Sequence, residues 1–314
     1  MTITVVGHLS IDETRSQEKP ESAPSSSTDF GGIFYSLVTL AGLLGTGDVI
    51  HPVFGVGEKE YDEFKKKLEE FPVIDSSSIF KVKGSSNRVL QFFGNDGTSR
   101  IECSKDLSDP IPFAKIKPYL DTDGILINMV SGFDITLETL DAIRMGVRDA
   151  RTPIHFDFHS LTLGIDQESR RFRRPLTDWR RWCFMLNSIQ MTQEEALGLT
   201  AERYDEPTLV NQLMPLMVNA LVLTRGERGA TAILQDNKKL THLDIPGTSF
   251  GPAIDTTGCG DVFGAAFLYR YLQQKNYKDA ADFANQFAGM KSTFQGSADI
   301  PGIAERIRSV TVPH

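Results

Sequence analysis

Short apolar runs and longer amphipathic segments alternate along most of the chain. The short runs are rich in Val, Ile and Leu, as in strands buried on both faces, and they cover 3–6, 49–56, 124–128, 154–157, 183–187, 220–224 and 230–234. The longer segments repeat their apolar residues every three or four positions, which predicts helices over 33–44, 61–68, 135–150, 262–272, 280–293 and 300–310. This alternation predicts an α/β protein built on a doubly wound, mostly parallel sheet.

A different pattern covers residues 79–103. Short strand-like stretches are broken there by small polar residues, and Asn95-Asp96-Gly97 between two apolar runs is a typical hairpin turn. Phe92 and Phe93, just before that turn, would form a dimer face if they are exposed. The earlier segment 13–29 is polar, contains several Ser and Pro and has no hydrophobic period, as expected of a long loop or part of a lid.

Composition narrows the classes of partner. The chain has 314 residues, with 41 acidic against 33 basic side chains and a formal net charge of −8. No basic stripe is available for nucleic acid, so a polyanionic ligand must be held by local N–H groups and a metal ion. The three cysteines, Cys103, Cys183 and Cys259, suggest neither a disulfide framework nor a zinc site. With no signal-like or membrane-spanning stretch, we expect a cytoplasmic protein that binds neither nucleic acid nor membrane.

The stretch 255–261, Asp-Thr-Thr-Gly-Cys-Gly-Asp, carries the strongest chemical signal in the chain. Two glycines flank one residue ahead of the apolar run 262–268, as in a tight loop that leads into a buried helix. The N–H groups of residues 258–260 would then point at an anion above the helix start, where the helix dipole adds positive potential. Asp261 places a carboxylate beside that anion. Accepting a proton from an attacking hydroxyl would explain its presence there.

Together with the following Val262 and Phe263, this stretch resembles the D-T-x-G-A-G-D-x-F signature of the ribokinase-like (PfkB) family of carbohydrate and nucleoside kinases. The resemblance implies a ribokinase-like α/β sheet flanked by helices, with a small β-sheet lid. It also implies ATP and Mg²⁺ as cofactors and transfer of the γ-phosphoryl group to a hydroxyl of a sugar or sugar-like substrate. In this arrangement Asp261 is the base, the N–H groups of Gly258, Cys259 and Gly260 stabilise the developing charge, Thr257 faces the cofactor, and a monovalent cation such as K⁺ is allowed near Asp255.

Two earlier motifs resemble the family's substrate side. Gly7 to Asp12 has the spacing of its G-x-x-x-x-D opening, whose Asp binds sugar hydroxyls, and a carboxylate can accept from two neighbouring hydroxyls at once. Gly31 and Gly32 match its Gly-Gly pair, although close packing of a helix on the sheet explains two glycines equally well. Ser36 stands where the family has a substrate-binding Asn, which leaves the identity of the sugar open.

Two later segments resemble the family's donor side. Residues 191–200 resemble its N-x-x-E-A-x-x-L segment, so Glu195 falls on the Glu that orients magnesium-bound water and phosphate. In an alternative register of this match, Asn187 is the donor-side residue instead. As plain structure, the same residues are an ordinary acidic helix start. Residues 224–229 resemble the V-T-x-G-x-x-G loop, which would bring four residues to the nucleotide phosphates, namely Thr224, Arg225, Gly226 and Gly229. A plain hairpin turn would also explain them.

Other functions stay open at this level. His155, Asp157 and His159 alternate along one predicted strand edge, which allows a metal-dependent hydrolase, although no fourth ligand lies at convincing spacing. Cys259 at a helix start could be a nucleophile, but no His or second Cys is visibly paired with it. A nucleoside kinase and a non-catalytic sugar-binding protein are further alternatives. The basic segment 170–181, with its interleaved Trp, is explained as well by a surface helix as by a nucleic-acid site, and the acidic total favours the helix.

The family motifs occur in family order from the first strand to the last long helix, so we predict one ribokinase-like kinase domain over residues 1–314. Residues 12–30 and 79–105 would form a lid inserted in it. A lid excludes water, which would otherwise compete with the acceptor hydroxyl. Exposed Phe92 or Phe93 on that lid would favour a homodimer.

Overall fold

The computed structural model describes residues 1–16, 29–93, 100–236 and 239–311. The strands formed there are β1 Thr2–Val6, β2 Leu9–Ser16, β3 Asp29–Gly32, β4 Val49–Val53, β5 Gly55–Gly57, β6 Phe80–Val82, β7 Asn87–Phe93, β8 Arg100–Lys105, β9 Gly124–Asn128, β10 Ile154–Asp157, β11 Leu163–Ile165, β12 Arg171–Arg173, β13 Ser188–Thr192, β14 Ala220–Thr224, β15 Ala230–Asp236 and β16 Lys239–Ile245. The α-helices are α1 Ile33–Leu43, α2 Tyr61–Leu68, α3 Phe113–Ile116, α4 Leu137–Val147, α5 Trp179–Cys183, α6 Gln193–Gly198, α7 Glu206–Leu213, α8 Cys259–Gln274, α9 Tyr277–Lys291 and α10 Ile303–Thr311. None of the helices in these ranges is long and apolar enough to cross a membrane.

Eight strands form the central sheet, in the order β16-β15-β14-β13-β10-β9-β1-β4. In this order, neighbouring strands between β14 and β4 run parallel to one another. Strands β15 and β16 are added antiparallel at one edge. Strands β9 and β10 are buried along their whole length, and β1 is buried except for the half-buried Thr2 at its start. Strand β13 is buried except for the exposed Thr192 at its end, although its sequence, Ser-Ile-Gln-Met-Thr, is not an apolar run. The predicted doubly wound, mostly parallel sheet flanked by helices is confirmed.

The register of the parallel strands brings polar residues together at one edge of this sheet. Asp157 at the end of β10 lies opposite Asn128 on β9 and Gln190 on β13. All three side chains are buried although they are polar. In the sequence each of them directly follows an apolar residue. Ligands of open α/β sheets bind outside the carboxyl ends of the strands, so this edge is where a functional site is expected.

Helix α8 begins at the same edge. Its N-cap, Gly258, has φ +80°, a left-handed conformation that non-glycine residues rarely adopt, and this turns the chain from the preceding loop into the helix. The run 262–268 is buried and the helix packs against α1 and α9, with Phe267 stacked on His155 of β10 at a centroid distance of 4.8 Å. The apolar run after Asp261 correctly predicted a buried helix.

A second sheet of four strands has the order β3-β2-β7-β8. Strand β2 follows β1 closely, pairs antiparallel with β3 and parallel with β7, and β7 pairs antiparallel with β8 as the hairpin prediction requires. The predicted lid segments 12–30 and 79–105 supply most of this sheet, although it begins already at Leu9. The hairpin turn, residues 17–28 and the side chains of Phe92 and Phe93 lie outside the described residues, so the dimer face stays a prediction.

Three predicted elements differ from the structure. Residues 170–181 do not form one surface helix, because the Arg-Phe-Arg alternation of β12 pairs with β11 in a hairpin and Pro175 separates it from α5. The predicted strand over 183–187 is wrong, since Cys183 ends α5 and β13 begins at Ser188. The run 49–56 is split into β4 and β5. Strand β16 was not predicted because it is a mostly exposed edge strand with many polar residues.

Candidate active site

A cavity of about 400 Å³ lies between the edge of the central sheet, the start of α8 and the second sheet. Its walls come from parts of the chain that are far apart in sequence, and the acidic and basic side chains among them are Asp12, Glu102, Arg171, Arg173, Glu195 and Asp261, with the imidazole of His159. A concave site of this volume with several convergent polar groups is typical of small-molecule binding.

Asp261, in the first turn of α8, lines this cavity with a side chain that is 4% exposed. Nδ2 of Asn128 donates to its Oδ1 over 2.6 Å. Burial raises the pKa of Asp261 above the ordinary Asp value, while the charge of His159 and the hydrogen bond from Asn128 act in the opposite direction. A carboxylate with a raised pKa at a cavity wall is suited to accept a proton from a bound hydroxyl.

Asp255 organises the loop that precedes α8. Its Oδ1 accepts from the N–H of Thr257 over 2.9 Å, and its Oδ2 accepts from the N–H of Gly296 over 3.1 Å. The loop also passes close to Tyr35, because a Cβ on Gly258 would lie 2.5 Å from Cδ1 of that ring. Thr257, Gly258 and Gly260 all line the cavity, as the predicted anion site requires.

Cys259 does not take the predicted part in this anion site. Its N–H donates to the carbonyl O of Thr256 over 3.2 Å inside the turn, and its Sγ contacts the carbonyl O of Ala288 on α9 at 3.5 Å. Burial raises the pKa of the thiol to about 11, so the thiolate that a nucleophile needs is scarce at neutral pH. The N–H groups of Gly258 and Gly260 are the remaining candidates for anion binding.

Polar residues from the central strands support the start of α8. Nε2 of Gln190 donates to Oδ2 of Asp157 over 3.2 Å and to the carbonyl O of Gly260 over 2.9 Å. Burial raises the pKa of Asp157 well above its ordinary value, and the nearby charges of Asp261 and Glu195 add to that shift. Gln190 therefore ties strand β13 to the first turn of α8.

The metal-hydrolase alternative receives no support from the geometry. His155 is fully buried against Ser188 and Gln190, and burial lowers its pKa to about 4, so it is a neutral core side chain. His159 lines the cavity, and its Nδ1 lies 2.8 Å from Oγ of Ser160. Within the described ranges, no three His, Cys, Asp or Glu side chains are placed to hold a metal ion together.

Asp12 reaches the cavity from strand β2. Oγ of Ser10 donates to its Oδ1 over 2.7 Å, and burial raises the pKa of Asp12 to about 6. Gly31 on β3 makes room for this carboxylate, because a Cβ there would lie 2.1 Å from its Oδ2. Gly32, the N-cap of α1, lines the cavity with φ +59°. These three predicted substrate-side residues are therefore brought together.

Ser36 is the exception on the substrate side. Its side chain is fully buried, and its Oγ donates to the backbone carbonyl of Asp261 over 3.3 Å. It thus supports α8 from behind instead of facing the cavity, because the first turns of α1 are buried against that helix. The predicted substrate contact of Ser36 is wrong.

Glu195, which also lines the cavity, closes the capping box of α6. Its Oε2 accepts from the N–H of Thr192 over 2.8 Å, and Oγ1 of Thr192 accepts from the N–H of Glu195 over 3.1 Å. Its Oε1 lies 3.9 Å from Nη1 of Arg173, and burial raises the pKa of Glu195. One cavity-lining carboxylate fits the way Mg²⁺ is held in kinase sites, by one or two carboxylates with waters and substrate phosphates.

The loop 224–229 borders a second cavity, also of about 400 Å³. Arg225 donates there to Oε1 of Glu206 over 2.6 Å and to Oγ1 of Thr231 over 3.0 Å. Its charge is paired with Glu206, and its side chain lines this second cavity and not that of Asp261, so its phosphate contact stays a prediction. Gly226 and Gly229 have φ +61° and +89° and form the turn itself.

Thr224 ends β14 directly opposite Thr192 on β13, at the carboxyl edge of the sheet. Asn187 lies at the other end of β13, where its Oδ1 accepts from the N–H of Ile154 over 2.8 Å. The alternative register that made Asn187 a donor-side residue is therefore wrong.

Three residues of the site, Asn128, Gln190 and Arg171, were not predicted from the sequence. Nε of Arg171 donates to Oγ of Ser104 on β8 over 2.6 Å, which connects the β11–β12 hairpin to the second sheet, and its Nη1 donates to Oγ of Ser160 over 3.1 Å. For Asn128 and Gln190, the sequence signal was a polar residue within a strand or at its end. For Arg171, the signal was the alternation Arg-Phe-Arg.

Comparison with known proteins agrees with this arrangement. Residues 181–301 match the family model of the pfkB family carbohydrate kinases. Over 91 residues the chain is 36% identical to the "Bifunctional protein HldE" of Marinomonas sp. (strain MWYL1), which is 29% of this chain and 18% of that protein. The curated relatives in this comparison are matched over 17 to 35% of their length.

Solved structures align over nearly the whole chain. Ribokinase from Giardia lamblia superposes with a TM-score of 0.75 at 15% identity, covering 98% of this chain and 99% of that one. The sulfate complex of a pyrophosphate-dependent kinase in the ribokinase family superposes with a TM-score of 0.74 at 15% identity, covering 97% and 99%. The fold is that of a ribokinase-like protein. The predicted resemblance to the ribokinase-like (PfkB) family is confirmed by this fold and by the family model.

Proposed function

We propose that this protein is a kinase that transfers the γ-phosphoryl group of ATP to a hydroxyl of a sugar or sugar-like acceptor. The position of Asp261 is the observation that carries the proposal. This buried carboxylate lines the same cavity as the first amides of α8 and the carboxylate of Asp12. A base, an anion site and a hydroxyl-binding group within one cavity are the parts that phosphoryl transfer to an alcohol requires.

Each part has a separate task in the proposed reaction. Asp12 accepts hydrogen bonds from hydroxyls of the acceptor and so orients it. Asp261 takes the proton of the attacking hydroxyl. The N–H groups of Gly258 and Gly260, aided by the dipole of α8, stabilise the charge that develops on the transferred group.

Glu195 and Thr257, which both line the cavity, form the proposed donor side. When bound, Mg²⁺ neutralises charge on the donor phosphates, and Glu195 would hold it through water and those phosphates. Arg173 reaches the same region, since its Nη2 donates to Glu194 and its Nη1 approaches Glu195. It therefore helps to orient the Glu195 carboxylate.

The cavity walls favour a polyhydroxyl acceptor over a nucleoside. Among the described lining residues, Tyr35 has the only benzenoid ring, and that ring packs against the Gly258 turn. The walls offer carboxylates, amides and guanidinium groups instead, which hydrogen-bond to hydroxyls. As for macromolecular partners, the formal net charge of −8 favours a small-molecule ligand over nucleic acid.

Release of ADP across a panel of pentoses, hexoses, polyols, sugar phosphates and nucleosides tests the proposal. Pyrophosphate should be included as an alternative donor, with release of inorganic phosphate as the readout, because one structural relative is a pyrophosphate-dependent kinase. We expect ADP release that depends on a polyhydroxyl acceptor and is lost in Asp261→Asn. Turnover with nucleosides alone would favour a nucleoside kinase. Binding without ADP release from any acceptor would favour a non-catalytic sugar-binding protein.

A further inference from the structure

Lys291, the last residue of α9, has a fully buried side chain. Its Nζ donates to the carbonyl O of Asp255 over 3.2 Å, to Oδ2 of Asp255 over 3.3 Å and to the carbonyl O of Phe294 over 3.3 Å. A lysine ammonium has three donors and no acceptor, so these oxygens match it completely. A buried charge is tolerated when it is paired, and Asp255 supplies the opposite charge.

The residues around Asp255 do not fit the monovalent cation that the family resemblance predicted. Such an ion is held by carbonyl and carboxylate oxygens that replace its water shell. Here the carbonyl and carboxylate oxygens of Asp255 and the carbonyl of Phe294 already surround Nζ of Lys291. A second positive charge beside this ammonium would be repelled, and one carboxylate would have to neutralise both.

We propose that Lys291 is a built-in cation that takes the place of a dissociable monovalent ion and holds the loop 255–258 in its phosphoryl-binding shape. The inference rests on the proposed phosphoryl transfer, because that loop carries the proposed anion site. Lys291 is thus a positioning residue, which acts on the reaction through Asp255.

A continuous set of contacts connects Lys291 to the amides of α8. Asp255, held by Nζ, accepts from the N–H of Thr257, the residue before Gly258. The N–H groups of Ile254 and Asp255 donate to the carbonyl O of Ser292, which fastens the same loop to the end of α9. Nζ also lies 5.9 Å from the ring centroid of Tyr35, the ring against which Gly258 turns. Removal of the ammonium would therefore loosen Asp255 and displace the Gly258 turn.

Turnover measured in K⁺, NH₄⁺, Na⁺ and tetramethylammonium salts at constant ionic strength tests the proposal. The unmodified protein should turn over equally in all four. Lys291→Ala should lose about 10²-fold in kcat in tetramethylammonium, the loss expected of a displaced catalytic loop, and should recover most of it in K⁺ or NH₄⁺. The matched control is Lys278→Ala, because Lys278 lies on the same helix in an exposed ion pair with Asp282 and its loss should change nothing.

Thermal unfolding supplies a measurement that does not depend on catalysis. K⁺ should raise the Tm of Lys291→Ala and leave the Tm of the unmodified protein unchanged relative to Na⁺. If no acceptor is phosphorylated while this pattern holds, the proposed function fails and the cation replacement stands. Strong activation of the unmodified protein by K⁺ would overturn the replacement, even if Lys291→Ala does not fold. The replacement would also be overturned if Lys291→Ala is inactive and no monovalent cation raises its turnover or its Tm.

Discussion

Nδ2 of Asn128 lies 2.6 Å from Oδ1 of Asp261, and both side chains are buried. The hydrogen bond joins the end of strand β9 to the first turn of α8. It stabilises the ionised carboxylate, whereas burial favours the protonated one. Asn128 therefore aims the proposed base and limits how far its pKa rises.

Asn128→Leu should shift the pH dependence of the reaction. Without the hydrogen bond the pKa of Asp261 rises further, and because the base must be ionised, activity is lost at a higher pH as the solution is acidified. A hydrogen bond to a charged group contributes about 1.5–3 kcal/mol, so the acid inflection of kcat/KM should move up by about 1–2 pH units. The measurement is the pH profile of kcat/KM beside that of the unmodified protein. A uniform loss at every pH, with the inflection unmoved, would show that Asn128 matters only for packing.

The affinity for the acceptor should depend on the ionisation of Asp12. Burial raises its pKa to about 6, so the carboxylate is ionised above that pH and protonated below it. Because the protonated form accepts fewer hydrogen bonds from hydroxyls, the acceptor KM should rise as the pH falls through about 6. Asp12→Asn should raise KM at every pH and remove this inflection. If the same inflection persists in Asp12→Asn, another group is responsible for it.

Gly258→Ala should damage turnover more than stability. The added Cβ would lie 2.5 Å from the ring of Tyr35 at φ +80°, so the loop and its amides must move, with a loss in kcat of about 10²-fold. Gly84→Ala is the matched control, since Gly84 has φ +91° and no atom within 4 Å of the added Cβ. Both variants should lose about 1–3 kcal/mol of stability from the left-handed backbone, and Gly84→Ala should keep full kcat. Equal kcat in the two variants would contradict the role of the Gly258 turn.

The features predicted correctly from the sequence are mainly those set by local patterns. Strands β9 and β10 are buried on both faces, so their apolar runs gave the right bounds. The loop and helix around Asp261 are contiguous in sequence, so the glycine spacing was enough to predict the turn, the buried helix and the cavity-facing carboxylate. The same holds for Asp12, which follows β1 closely.

The failures concern side-chain direction and long-range contacts. Ser36 lies on a segment that was placed correctly, but its side chain points toward a neighbouring helix that local pattern does not reveal. The N–H of Cys259 is used inside the turn, by the carbonyl O of Thr256, which the glycine spacing alone does not show. The ion pair of Arg225 with Glu206 could not be predicted from local pattern, because the two residues are 19 positions apart. Lys291 is 36 positions from Asp255, and a lysine at the end of a helix normally predicts an exposed side chain, so its burial depends on tertiary packing alone.

Asp261→Asn, which keeps the shape of the side chain and removes its basicity, tests the central claim most directly. The measurement is the rate of phosphoryl transfer in a single turnover with an accepted substrate, beside calorimetric binding of donor and acceptor. We expect a rate lower by about 10²- to 10⁴-fold, with both ligands bound almost as tightly as before. A variant that binds both ligands and transfers the phosphoryl group at the unmodified rate would contradict the assignment of Asp261 as the base.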